Sequence, residues 1–494
     1  MMENYILGID QSTQGTKALL FDDKGNLISR TDLPHRQIID ERGWVEHDPE
    51  EILKNTIHVV KDLVKKNGIS KEQIRGIGIS NQRETAMVWD RESGRPIYNA
   101  VVWQCARGEQ ICRRLEEKGY AEKIRQKTGL RLSPYFSAAK IAWILQNVEG
   151  AGEKNEAGKL CIGTMDSWLV YKLTKEHAFK TDYSNASRTQ LFNITDLCWD
   201  NELCQWFGVN RQCLPKVCGS DELFGMTDLD GYLDHPIPIH GMLGDSHGAL
   251  FGQGCTEPGM IKATYGTGSS IMMNIGEKPV LSDEGIVTSL AYKIGGKVNY
   301  VLEGNINYTG AVISWLKNDL KLIDSAGETE ELAKAANLED ETYLVPAFSG
   351  LGAPYWDSDA RAVISGMSRT TGKNEMVKAA LESIAYQISD IVEIMKRTAG
   401  LEIAEIRVDG GPTRNHFLMQ FQSDILNIPV RVPDAEELSG IGAAYAAGIA
   451  MGIYDQKSLF ENVNRTEYKA RMNETERERK INGWRQAVEK ALTK

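Results

Sequence analysis

Short apolar runs separated by small polar turns set the rhythm of the chain. Tyr5-Ile6-Leu7-Gly8-Ile9 has the length of a buried strand and ends at Asp10. A turn of small polar residues, Gln11 to Thr16, leads into a second apolar run, Lys17 to Phe21, and a further turn at Asp22 to Gly25. The same pattern recurs in the second half. Ile261 to Tyr265 runs into Gly266-Thr267-Gly268-Ser269-Ser270 and on into Ile271-Met272-Met273. Two strand–turn–strand units of one kind predict an internal duplication with a cleft between the copies.

Between and after these units the pattern alternates helix and strand. Pro49 to Lys66 predicts a helix, and Ile74 to Ile79 a buried strand that feeds Asn81-Gln82-Arg83-Glu84-Thr85. Ala100 to Val102 leads to Trp103-Gln104, and Pro134-Tyr135-Phe136 precedes a helix bearing Lys140 and Trp143. Ile239 to Leu243 delivers Asp245 to a strand end, and the small residues from Gly248 to Gly254 predict a tightly packed helix after it. Farther on, Val298 to Glu303 is a strand, a helix starts at Gly310, and Pro346 to Trp356 is a loop. Met376, Ala380, Ile384, Ile388, Ile391 and Met395 form one apolar face of a long helix starting near Asn374. Ile406 to Asp409 is a strand entering Gly410-Gly411-Pro412-Thr413-Arg414-Asn415. Gly440 to Tyr454 predicts a packed core helix, and Thr466 to Lys494 a charged, solvated one. The class is α/β.

Composition narrows the function classes. A chain of 494 residues calls for more than one domain, and 41% hydrophobic with 25% charged residues is an ordinary globular balance. The net charge of −11 argues against a nucleic-acid surface, but not against an anionic ligand held by backbone amides. The eight cysteines form no C-x-x-C pair and no zinc-ligand spacing, which predicts reduced thiols. No secretory signal and no membrane span is legible, so a cytoplasmic protein is expected.

Asp245, at a strand end, can accept a proton from a substrate hydroxyl, or it can cap the following helix. A second carboxylate, Asp10, ends the first strand in a similar setting. Arg83 beside Glu84 offers a donor and an acceptor for hydroxyls, or it is a plain surface pair. Trp103 and Tyr135 offer rings on which the C–H faces of a polyol can pack, or they are core. The turns around Thr13 and Thr267 present amides to phosphate oxygens, or they close ordinary hairpins. Neither G-x-x-x-x-G-K-[ST] nor G-x-G-x-x-G occurs.

These residues together resemble the FGGY carbohydrate kinases, most nearly their glycerol-phosphorylating branch. The likeness runs through Gly43 to Pro49, Asn81 to Thr85, Ala100 to Cys105, Ser184 to Thr189, Tyr265 to Gly268, Gly350 to Asp357 and Phe417 to Leu426. Both family signatures are present, at Tyr135 to Asn147 and Ala362 to Glu382. The resemblance implies two duplicated ribonuclease H-like domains of the actin/Hsp70/sugar-kinase type, residues 1–253 on the substrate and magnesium side and 254–494 on the nucleotide side. It implies ATP and Mg2+ as cofactors, a small polyol or sugar as partner, no nucleic acid, no membrane insertion, and a homodimer or homotetramer. Asp245 would be the general base, and Asp10 with Asp245 would face the metal. Arg83, Glu84, Trp103, Tyr135, Asp245, Ser246 and Ser270 would form the polyol site. Thr13, Gln14, Gly15, Lys17, Gly266 and Thr267 would meet the phosphates, and Gly310, Ser314, Gly411 and Asn415 the rest of the nucleotide.

The sequence departs from the glycerol-phosphorylating pattern in four places, three single positions and one turn. Ser246 stands where that branch has Gln, Ser270 where it has Phe, and Ser314 where it tends to have Gln. The first phosphate turn carries Gln14, Gly15, Thr16 and Lys17, without the usual Arg. Glycerol is the first expectation. The two pocket serines set against it a larger polyol or ketose, such as erythritol, erythrulose, xylulose or ribulose. A non-catalytic nucleotide switch of actin type would share the phosphate turns but would not need the pocket of Arg83, Glu84, Trp103 and Tyr135.

Overall fold

The computed structural model describes residues 4–461 and 463–493, so residues 1–3 and Lys494 at the end of the last expected helix lie outside the described residues. In the N-terminal half, β1 (Tyr5–Gln11), β2 (Gly15–Phe21) and β3 (Leu27–Pro34) form an antiparallel meander. β4 (Ile74–Asn81) runs parallel to β1 on its free side. β5 (Gly225–Thr227) and β6 (Ile237–Gly244) complete the sheet, with β6 parallel to β4, in the order β5-β6-β4-β1-β2-β3.

β1 is buried along its whole length, as a continuous apolar run covered on both faces requires. α1 (Pro49–Asn67) covers one face, and its boundaries follow from local chemistry. The Asp48 side chain accepts the Glu50 N–H at 2.9 Å, and Pro49 begins the first turn, where its missing N–H costs nothing. Gly68, at φ +62°, ends the helix. α2 (Ser137–Asn147) carries the first family signature, and α3 (Asp245–Gly252) follows β6 directly.

The C-terminal half repeats the plan. β7 (Ile261–Tyr265) and β8 (Ser269–Gly276) form a hairpin. β9 (Val287–Ile294) and β10 (Lys297–Ile306) extend it, with β10 against β8 and β9 outside β10. α4 (Gly310–Asn318) and α5 (Lys373–Ala399) then lead to β11 (Ile406–Asp409), parallel to β7. α6 (His416–Leu426) leads to β12 (Val430–Pro433), parallel to β11, and then to α7 (Leu438–Ala450). The meander β7-β8-β10 flanked by parallel β11 and β12 thus matches β1-β2-β3 flanked by parallel β4 and β6. The duplication expected from the two hairpins is realised in the sheets.

The halves meet through α3 and α7, which pack on one another, and α7 also lies across β1, β4 and β6. Their glycines make this closeness possible. A Cβ on Gly442 would sit 1.9 Å from the Gly248 carbonyl oxygen, and one on Gly78 of β4 would sit 2.1 Å from that of Ala443. The small-residue runs are therefore packing surfaces, as their composition predicts. Among the described residues, no helix is long and apolar enough to cross a membrane.

The C-terminal expectation needs correction. Thr466 to Tyr468 belong to an edge strand, β13 (Arg465–Tyr468), paired with β12. α8 (Glu474–Ala491) has a buried stripe of Trp484, Ala487, Val488 and Ala491 rather than a solvated surface all round. Trp484 stacks on Tyr386 of α5 at 5.1 Å, and its Nε1–H donates to Asp390 at 2.8 Å. The density of charge masked an apolar stripe at helical spacing.

Candidate active site

β6 ends at Gly244, and α3 begins at Asp245. Gly244 is the N-cap, so Asp245 does not fill the capping role open to it on local sequence. Its Oδ1 accepts the Ser246 N–H at 2.6 Å and lies 3.1 Å from Arg83 Nε, while a third of the side chain remains exposed. A Cβ at Gly244 would stand 2.7 Å from Arg83 Cγ, so glycine is what lets the arginine pass.

Arg83 and Glu84 leave the end of β4 into a buried ion network that the sequence did not reveal. Arg83 donates through Nη1 and Nη2 to both carboxylate oxygens of Glu303, at 3.0 and 2.9 Å. Arg188 donates from Nε to Glu84 Oε1 at 2.6 Å, and its Nη1 lies 2.7 Å from Glu303 Oε2. Burial alone would raise the Glu303 carboxyl, but Arg188 and Arg83 hold it well below the usual carboxylate range. Burial pulls the Arg83 guanidinium down, and Glu303, Glu84 and Asp245 more than reverse it. Glu303 and Arg83 therefore stay ionised together in a water-poor interior. Glu84 holds a left-handed backbone, φ +56°, an uncommon conformation that points its side chain inward here. His247 is packed behind them, kept neutral by burial and then by Arg83.

The aromatic wall stands opposite. Trp103 and Tyr135 meet edge to face at 5.3 Å, and Trp103 Nε1–H donates to Thr13 Oγ1 at 3.0 Å. That hydrogen bond ties the aromatic wall to the turn at Thr13. Lys140 works from below. Its Nζ donates to the carbonyls of Pro134, Tyr135 and Phe136 at 2.8, 2.6 and 2.8 Å, fixing the segment that carries Tyr135. Trp143 is not in the site; it packs against Trp44 and Tyr98.

These groups enclose a cavity of about 460 Å³ between the halves. Thr13, Arg83, Glu84, Trp103, Tyr135, Asp245, Ser246, Gly266, Thr267 and Ser270, all expected at the site, line it together. Its far wall is the tight turn Gly266-Thr267-Gly268. The turn's carbonyls are taken up by the start of α4, where the N–H groups of Gly310 and Ala311 donate to Gly266 and Thr267 at 2.9 and 3.0 Å. Gly310 must be small there, since a Cβ would lie 2.8 Å from the Gly266 oxygen.

Asp10 sits at the end of β1, opposite Lys17 in the hairpin register. Burial raises its carboxyl to about 6, with Asp245 pushing the same way and Lys17 opposing. Ser80 Oγ donates to it at 3.1 Å. A buried carboxylate that lacks full compensation and shares a field with a second one suits a hard cation. Among the described residues no cluster of three or more His, Cys, Asp or Glu side chains could hold a metal. The pair Asp10 and Asp245 nonetheless fits Mg2+, which takes one or two carboxylates and keeps several waters.

The remaining expected residues lie outside the cavity. Gln14 is exposed, and Gly15 crosses close to the Leu33 carbonyl. Lys17 Nζ pairs with Glu437 at 2.6 Å, and Arg30 pairs with the same carboxylate. Ser314 Oγ–H donates back to the Gly310 carbonyl. Asn415 caps α6, accepting the Leu418 N–H at 2.9 Å and donating to Thr329 Oγ1 at 3.0 Å. Of the Gly410-Gly411 pair, Gly410 is the constrained one: φ is +102°, and a Cβ would lie 2.0 Å from the Tyr265 carbonyl oxygen. Gly411 faces open space.

Glu303, Arg188 and Lys262 are not singled out by the sequence pattern. Each has one visible signal. Lys262 is the lone charge of β7, Glu303 is the lone acidic residue of β10, and Arg188 lies in a motif of small polar residues, Ser184 to Thr189.

Comparison with known proteins places the chain in one family. The N-terminal domain of the FGGY family of carbohydrate kinases matches residues 5–252, and its C-terminal domain matches residues 261–451. Glycerol kinase 1 of Thermotoga maritima is 50% identical over 99% of this chain and 100% of its own length. Glycerol kinase of Staphylococcus epidermidis is 47% identical over 99% and 98%. The crystal structure of Plasmodium falciparum glycerol kinase with ADP superposes with a TM-score of 0.94 at 38% identity, covering 100% of this chain and 99% of that one. The chain belongs to the FGGY family of carbohydrate kinases.

Proposed function

We propose that this protein transfers the γ-phosphate of ATP to a terminal hydroxyl of glycerol, forming glycerol 3-phosphate. The observation that carries the reading is the convergence of Arg83, Glu84, Trp103, Tyr135 and Asp245 on one inter-lobe cavity whose far wall is the Gly266-Thr267-Gly268 turn. Arg83 donates to a polyol hydroxyl, Glu84 accepts from one, and the two rings pack on the carbon chain. Asp245 takes the proton of the attacking hydroxyl. The turns at Thr13 and Thr267 hold phosphate oxygens, and Gly310, Ser314, Gly411 and Asn415 frame the remainder of the nucleotide. Mg2+, held at Asp10 and Asp245 through its waters, would neutralise charge on the phosphates, the main requirement of phosphoryl transfer. The lobes divide near residue 253, except that α7 returns to the first sheet.

Ser246 and Ser270 open the case for a larger acceptor. Relatives close to half identical over their full length favour glycerol over erythritol, erythrulose, xylulose and ribulose. Steady-state kinetics with ATP and each of these five alcohols test the reading. Glycerol is expected to have the highest kcat/KM; a ketose or tetritol far above it would overturn the assignment.

A further inference from the structure

Lys262 is a buried cation with no place in the reaction just described. It stands on β7 two residues before Thr264, so both side chains leave the same face of the strand. Lys262 is 0% exposed, and its Nζ donates to Thr264 Oγ1 at 3.0 Å and reaches Ser270 Oγ at 3.5 Å. Among the described residues its hydrogen-bond partners are these two hydroxyls, with no carboxylate. Strand register sets Asp409 of β11, Thr264 of β7, Ser270 of β8 and Asn305 of β10 in one row across the sheet. Thr264, Ser270 and Asn305 line the acceptor cavity. Lys262 lies two registers behind on the same face, between Arg407 and Met272, with Glu303 beyond.

The direction of the hydrogen bonds follows from the chemistry of an ammonium group, which donates and never accepts. Thr264 and Ser270 must therefore receive from Lys262 and send their own protons elsewhere. The Thr264 proton goes to Asp409 Oδ2 at 3.2 Å. Among the described residues no acceptor takes the Ser270 proton, and its hydroxyl borders the cavity. A buried ammonium that hydrogen-bonds no carboxylate, with Asp409 reached only through Thr264, is a poor way to stabilise a fold, since an apolar chain of equal size serves better.

We propose that Lys262 is a positioning residue of the acceptor pocket: it orients the Ser270 hydroxyl as a hydrogen-bond donor into the cavity, where Ser270 holds an oxygen of the bound polyol. This rests on the kinase reading above and names a contact in the same site. It also gives the serine a task that a hydroxyl-free residue at that position could not perform. The pocket would then favour an acceptor with an oxygen lone pair facing β8, the charge behind Ser270 strengthening the bond.

The test uses the full chain with Lys262→Met, Ser270→Ala and the double variant, measured by steady-state kinetics with glycerol and ATP. Each single change is expected to raise the KM for glycerol about 5- to 10-fold, the span of one hydrogen bond. The double variant is expected to be no worse than Ser270→Ala, because both changes remove one interaction. The KM for ATP stays put, and the Tm of Lys262→Met does not fall. An unchanged glycerol KM in Lys262→Met, or effects that multiply in the double variant, would overturn the proposal. So would a lower Tm with both KM values rising together, which marks a lysine needed only for folding. Ser270→Ala and Ser270→Thr carry the test if Lys262→Met does not fold: the first loses affinity and the second keeps it, and equal affinity in both rejects the donor. The wild-type rate with glycerol reports on the functional reading itself. Calorimetric titration with glycerol yields the same variant ratios without turnover, so the two ideas fail separately.

Discussion

On the proposed acceptor side of the cleft, Arg83, Glu84, Arg188 and Glu303 interlock through contacts of 2.6 to 3.0 Å, and every one of them is buried. On the proposed nucleotide side, Gly310 and Ser314 belong to α4, Gly411 to the turn after β11, and Asn415 to the start of α6, and none of these lines the inter-lobe cavity. The contrast teaches how each ligand is to be held. A small alcohol offers only hydroxyls, so it needs charged side chains locked in place before it arrives. A nucleotide offers charged phosphates and a flat ring, which helix starts and close backbone can meet without dedicated side-chain charge.

The largest break in that contrast comes from Asp245→Asn. Removing the positioned base is expected to lower kcat by about 10²–10⁴-fold, while calorimetry shows ATP bound as before. Near-normal turnover would remove Asp245 from the role of base. Glu303→Ala comes next, because it leaves Arg83 and Arg188 buried against each other without a shared carboxylate. A loss of about 3–5 kcal/mol is expected on that account, read from urea unfolding; a midpoint equal to wild type would show the network to be dispensable.

On the nucleotide side, Gly410→Ala should cost more than about 1 kcal/mol, since the left-handed backbone and the Tyr265 carbonyl both oppose a side chain. Gly411→Ala should stay within about 0.5 kcal/mol. Equal thermal shifts for the two would contradict the placement of that turn.

Asp10 supplies a pH test. Burial and Asp245 hold its carboxyl at about 6 in the folded chain, against an ordinary 3.8. Between those values the folded state keeps a proton that the unfolded chain has released. The contribution of this group to stability is therefore present at low pH and is lost as pH rises through about 6. Asp10→Asn should flatten that fall and also raise the Mg2+ concentration needed for half-maximal rate. A stability–pH curve parallel to wild type would reject the buried charge. A small effect is expected for Lys17→Ala as well. Its pair with Glu437 is a third exposed on the lysine side, so at most about 1 kcal/mol is at stake.

Much of the site is legible in the amino-acid sequence. Arg83 and Glu84 follow an apolar run, Asp245 ends another, and the glycines of α3 and α7 announce close packing. What stays hidden is pairwise. Nothing in the stretch from Val298 to Ile306 says that Glu303 will meet Arg83, 220 residues away. Trp143 and Tyr135 both flank Lys140, and only the packing shows that one faces the cavity while the other joins a core of Trp44 and Tyr98. The charged residues of the last helix conceal Trp484 for a related reason: an apolar stripe matters only when a partner such as Tyr386 is there to receive it.

Local order was determined by the sequence alone: two hairpins of the same kind, their flanking strands, the boundaries of α1, and the residue types suited to a hydroxyl and a phosphate. These depend on neighbours a few positions apart, through turn chemistry, caps and hydrophobic period. Tertiary structure decided which carboxylate neutralises which guanidinium, that Gly410 rather than Gly411 is constrained, and that Lys17 turns to Glu437. It also decided that Lys262 stands behind Ser270. Charge pairing and close approach act through space across hundreds of residues, and only a folded chain brings those atoms within reach of one another.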